Sequence, residues 1–116
     1  MGLILNRHAK YLDAVAELEH AIDLAPNASN IHLQLGAALV QLKEFDRAER
    51  ELVRAYDLAG KAAGASQLLL GQVYYAQGRV AEAEKAFTQY LKDVPNAPNA
   101  LQIAQLIADL KVTGKK

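Results

Sequence analysis

The chain repeats itself, and the repeat limits its fold more than any single residue does. Displacing the sequence by 34 positions sets Gly2 on Gly36, Leu5 on Leu39, Tyr11 on Phe45, Ala14 on Ala48, Leu18 on Leu52, Ala21 on Ala55 and Leu24 on Leu58. A displacement of 35 sets Leu35 on Leu70, Gly36 on Gly71, Leu39 on Tyr74, Ala48 on Ala83, Glu49 on Glu84, Leu52 on Phe87 and Gly60 on Pro95. Small falls on small and bulky on bulky, as expected if one packing contact is made repeatedly. The extra residue of the second displacement is placed in the linker Gly60-Lys61-Ala62-Ala63-Gly64.

Within a unit the apolar residues recur at helical spacing, as in Leu35, Leu39 and Leu42, then Phe45, Ala48, Leu52 and Ala55. Each unit therefore reads as two helices and the chain as all-α. Gly78 supplies the break inside the third unit, because a residue free to adopt positive φ can end one helix before Val80 begins the next. Between units, Ala25-Pro26-Asn27-Ala28-Ser29 and Val94-Pro95-Asn96-Ala97-Pro98 stop one helix and start another, with Asn or Ser available as caps. The composition is 52% hydrophobic yet only 6% aromatic, so Ala and Leu dominate and helices can approach closely. Gly36, Gly71, Ala48 and Ala83 are the expected points of closest approach, flanked by Leu39, Tyr74, Leu52 and Phe87.

This pattern resembles the tetratricopeptide repeat family, whose units of about 34 residues carry a Leu-Gly pair and an aromatic in the first helix, then Ala, a bulky residue, Ala and a closing Pro in the second. The second unit reads Leu35-Gly36, Leu39, Ala48, Leu52, Ala55, and the third Leu70-Gly71, Tyr74, Ala83, Phe87, Tyr90, Pro95. Gly60 replaces the closing Pro of the second unit, His32 stands where the family often has Trp or Leu, and Tyr90 replaces a usual Ala. The resemblance implies antiparallel hairpins stacked as a right-handed α-solenoid over residues 1–112. It divides into a truncated repeat at 1–28, full repeats at 29–63 and 64–97, a capping helix at 98–112, and a disordered tail at 113–116. Gln105 takes the place of the glycine that would admit a second helix, and Gln102, Gln105 and Asp109 give the cap a polar face.

In the family the first helix of each unit lines a concave groove, where a peptide or partner protein binds. By matched position the resemblance puts Leu3, Asn6 and Arg7 there, with Asn30, Leu33, Gln34, Ala37, Val40 and Gln41 from the second unit. The third unit contributes Ala65, Leu68, Leu69, Gln72, Tyr75 and Ala76, and the cap Gln102. These residues mix apolar side chains with amides and carry almost no charge, which suits an extended or helical peptide. Some family members grip terminal carboxylates with a cluster of Lys, Arg and Asn, but the matching positions here hold Leu33, Ala37, Ala65 and Leu69. Leu33 and Leu68 are equally placed to bury against the next hairpin. Tyr75, next to Tyr74, cannot share its pocket.

Thirteen basic and thirteen acidic residues cancel, leaving no cationic excess for nucleic acid or an anionic membrane. No apolar run is long enough to cross a bilayer, and the start, Met1 to Arg7, is too short in apolar residues for a signal peptide. The expected compartment is aqueous, cytoplasmic or periplasmic, in a bacterial style of adaptor. Without cysteine there is no thiolate chemistry, and His8, His20 and His32 lack the spacing of a helical metal site. Ser29 reads as a helix cap and Ser66 lies near a linker, neither with a His and carboxylate beside it. No enzyme activity, cofactor or metal is expected. Asp46 with Arg50 and Glu82 with Lys85 read as convex-face pairs, and Glu44, Glu49 and Glu51 interrupt the stripe Arg47, Arg50, Arg54. Two further readings are a passive spacer and a homodimer through the truncated N-terminal helix, where Leu3, Ile4 and Leu5 with the flank of Tyr11 and Val15 are expected to be uncovered.

Overall fold

The computed structural model describes the backbone of residues 2–114 and the side chains of residues 7–112. Among the described residues six α-helices follow one another: α1 Gly2–Leu24, α2 Ser29–Gln41, α3 Phe45–Ala59, α4 Ala65–Ala76, α5 Val80–Asp93 and α6 Ala100–Gly114. The linker foreseen at Gly60 becomes a 3-10 turn, Gly60–Ala63. Each helix packs on the next, and α4 touches both helices of the preceding hairpin, so the pairs advance sideways as a solenoid.

The hairpins α2–α3 and α4–α5 turn in the same way. Lys43 and Gly78 both have positive φ, 62° and 75°. Behind them Glu44 N–H reaches the Leu39 carbonyl at 2.9 Å and Arg79 N–H the Tyr74 carbonyl at 2.8 Å, which satisfies carbonyls that the helix end would otherwise leave unpaired. The repeat register brings Ala9 to this position in the first unit. Alanine favours the helix and disfavours left-handed backbone, so the break expected inside the first unit is absent and α1 runs unbroken for 23 residues.

Other boundaries also differ from the sequence reading. Ser29 is the first residue of α2, behind Ala28, and no side-chain cap bond forms there. The last helix starts at Ala100 instead of Pro98, with Asn99 accepting the Ile103 amide on its carbonyl at 3.0 Å. It continues through Gly114, into what was expected to be tail, and residues 115–116 lie outside the described chain.

The core lies where the small residues were expected to admit it. A Cβ built on Gly36 would stand 2.6 Å from Leu52 Cγ, and one on Gly71 would meet the Phe87 ring. Ala48, Leu52, Ala55 and Ala83 are fully buried. One core cluster gathers Val15, Leu35, Leu39, Leu52 and Val73, and a second gathers Phe87, Tyr90, Ile103 and Leu110.

Polar ties join successive units across the surface. Arg47 pairs with Glu19 of α1, Arg54 donates to Asn27 at 3.1 Å, and the Tyr56 hydroxyl donates to Asp93 at 2.7 Å. The pairs expected along single helices give way to others: Glu82 is held at 2.5 Å by Arg79, three residues before it at the start of α5, in place of Lys85, and Asp46 accepts from Gln77 of the next unit at 3.3 Å. The same exchange absorbs much of the arginine stripe.

Candidate peptide-binding face

The helices α2 and α4 are neighbours, and neither contains an Asp, Glu, Lys or Arg. The charges sit instead on the second helices, with Asp46, Arg47, Glu49, Arg50, Glu51, Arg54 and Asp57 on α3 alone. This division follows from packing: α2 and α4 are covered on two sides and hold apolar residues around most of their circumference, whereas α3 and α5 keep a wet face.

On α2, Asn30, Gln34 and Gln41 are exposed, while Leu33, Ala37 and Val40 are half-buried. On α4, Ala65, Gln72, Tyr75 and Ala76 are exposed, and Leu68 and Leu69 are half-buried. The structure brings Leu33, Val40 and Leu69 together against the first core cluster, whereas Leu68 packs on the second. Tyr75, 55% exposed, points away from the pocket that Tyr74 occupies, as its position beside Tyr74 required. From the other units, Arg7 and Gln102 are exposed, and the side chains of Leu3 and Asn6 lie outside the described residues.

The sequence reading missed a cleft on the opposite side of α4. It is open, about 570 Å³, and runs between α3 and α5 with Leu70 and Tyr74 of α4 as its floor. Val53, Tyr56 and Asp57 form one wall, and Glu82, Lys85, Ala86 and Gln89 the other. Beside it Arg79 stacks on Tyr74, 4.5 Å from the ring centroid, and bonds to Glu49 at 3.0 Å. Burial, reinforced by the Glu49 carboxylate, pushes the Tyr74 phenol up to about 12. The hydrogen bond to Asp93, with burial, raises Tyr56 in the same direction, and the bond from Arg79 lowers Glu82.

His32 is buried with a partner on each ring nitrogen. It is 6% exposed, with Nδ1 2.7 Å from Glu51 Oε1 and Nε2 2.7 Å from the Pro26 carbonyl, so it ties α2 to α3 and to the preceding loop. His8 and His20 are exposed, and among the described residues no group of three His, Asp or Glu side chains could hold a metal ion. No described helix is long and apolar enough to cross a membrane.

The hairpin geometry and the repeat register together point to one family, and a tetratricopeptide repeat model matches residues 1–66 and 45–100. The chain belongs to the tetratricopeptide repeat family. No curated protein matches the sequence. Among solved tetratricopeptide structures, the Yersinia enterocolitica type III secretion chaperone SycD in complex with a peptide of the translocator YopD superposes with a TM-score of 0.84 at 19% identity, covering 97% of this chain and 90% of that one. The first TPR of Spaghetti (RPAP3), bound to the HSP90 peptide SRMEEVD, gives 0.81 at 22% identity, with 96% and 87% covered. The Arabidopsis OM64 TPR domain gives 0.81 at 21%, with 93% and 88% covered. These likenesses establish the helical-repeat solenoid.

Proposed function

We propose that this tetratricopeptide domain is a non-catalytic adaptor whose α2–α4 face holds a partner's peptide segment rich in apolar and amide side chains and poor in charge. The observation that carries the reading is the pair of adjacent helices without one Asp, Glu, Lys or Arg, presenting Gln34, Gln41, Gln72 and Tyr75 beside Leu33, Val40, Leu68 and Leu69. Amides can bond to a peptide backbone, and the apolar side chains between them can receive alternate side chains of an extended strand or one face of a helix. Domains of like fold hold peptides in the SycD and Spaghetti complexes, which supports the general role. An acidic tail such as SRMEEVD is a poor fit here, because Leu33, Ala37, Ala65 and Leu69 stand where carboxylate-binding side chains would have to be.

Titration of the chain with an uncharged, Leu- and Asn-rich peptide array and with SRMEEVD tests this. Binding to array members with little salt dependence, lost at least tenfold in Tyr75→Glu and Gln34→Glu, is the expected result. Preference for SRMEEVD, or binding indifferent to both substitutions, would overturn it, and no binding at all would favour a passive spacer.

A further inference from the structure

The last helix does not present the wholly polar exterior expected of a cap. It buries Ile103 and Leu110, with Leu106 and Ile107 half-buried at their sides. Successive residues turn by about 100°, so the outward side carries Leu101, Ala108 and Val112, with Ala104 at its edge, all exposed, Leu101 at 87% and Val112 at 65%. Gln102, Gln105 and Asp109 lie along one flank of this stripe, where the Gln105 amide donates to Asp109 at 3.1 Å.

We propose that this stripe is a self-docking surface, on which α6 of a second copy of this chain lies antiparallel about a two-fold axis between Gln105 and Ala108. The stripe is complementary to its own reverse. An antiparallel partner sets Ala104 opposite Ala108, where two methyl groups let the helix axes approach closely, and sets Leu101 beside Val112 at both ends. A two-fold axis places like flanks together, so Gln102 of one copy comes beside Asp109 of the other, an amide with a carboxylate. On the other flank the Lys111 stem covers Leu101 of the partner while its ammonium stays in water.

The alternative end of the solenoid is less suited. The exposed side of α1 carries Ala9, Leu12 and Ala16, but Asp13 and Glu17 are exposed immediately beside them, and a helix docked there would desolvate both carboxylates. The flank expected to be open at Tyr11 and Val15 is largely covered, with Tyr11 half-buried and Val15 7% exposed. Gln105 stands where the other units have the close-packing glycine, whereas Ala104 and Ala108 leave room for a helix centred on them. A single helix pair is a small interface, of the weak and reversible class.

Sedimentation velocity from micromolar to near-millimolar concentration tests the proposal on the whole chain. A monomer–dimer equilibrium that stops at the dimer is expected, with the dissociation constant raised at least tenfold in Ala104→Glu and Ala108→Glu and unchanged in Leu12→Glu. All three positions are exposed, and unaltered helicity by circular dichroism establishes that the variants fold. Because the chain has no cysteine, Gln105→Cys should form a disulfide dimer on mild oxidation far faster than Gln41→Cys. A chain that stays monomeric throughout, growth beyond the dimer, or loss of the dimer in Leu12→Glu would each overturn it. Peptide binding at the α2–α4 face is measured separately.

Discussion

Gly71 lies so close to Phe87 that a Cβ added to it would fall 2.5 Å from the ring's Cδ1. The hairpin α4–α5 closes on that contact, because Phe87 is 1% exposed and its ring has no free space to move into. Gly71→Ala should therefore destabilise the chain by about 1–3 kcal/mol through overpacking. Urea unfolding that left the midpoint unchanged would show that the ring can give way.

The turn at Lys43 is strained for a residue with a side chain, at φ 62°, whereas Gly78 takes the same role without strain. Lys43→Gly should stabilise the α2–α3 hairpin by about 1 kcal/mol, since left-handed backbone costs about 1–2 kcal/mol for residues bearing Cβ and glycine's greater unfolded entropy offsets part of the gain. A lower thermal midpoint in Lys43→Gly would contradict this account.

His32 holds Glu51 and the Pro26 carbonyl in a region with little access to water. Removing the ring in His32→Ala leaves both acceptors short of a donor and opens a void, for which about 2–4 kcal/mol is expected. Substitution of both partners together, His32→Leu with Glu51→Leu, should recover most of that loss in the same denaturation assay.

Stability should also fall in alkali. The folded state holds the Tyr74 phenol at about 12, above the ordinary value of 10, and the Tyr56 phenol is raised as well. The neutral phenols are thus favoured by folding, so their contribution is complete below pH 10 and disappears as pH rises through about 12. Tyr74→Phe should flatten the pH dependence between those values, and equal slopes in the two proteins would rule Tyr74 out as its source.

Some of this was legible in the residues alone. Chain repetition marked Gly36 and Gly71 as the close crossings of the two hairpins, because a missing Cβ at a repeated position lets two helices approach, while the structure shows that each glycine faces a bulky neighbour, Leu52 and Phe87. The same reading kept Tyr75 out of the pocket of Tyr74, since adjacent helical residues point about 100° apart, and the structure leaves it exposed. It misplaced the surface ion pairs, because a choice among partners depends on more than spacing along one helix: Arg79, at the start of α5, takes Glu82 from Lys85 and reaches Glu49 of the preceding unit once the hairpins are stacked.

What the sequence determined by itself was the hairpin, its two glycine crossings and the uncharged character of α2 and α4, all of which follow from periodic spacing and residue size. Only the tertiary structure decided that α1 runs unbroken past Ala9, that a cleft opens between α3 and α5, and that the outermost side of α6 is apolar. Those features depend on which helix covers which face, a balance of burial between distant segments that no local pattern encodes.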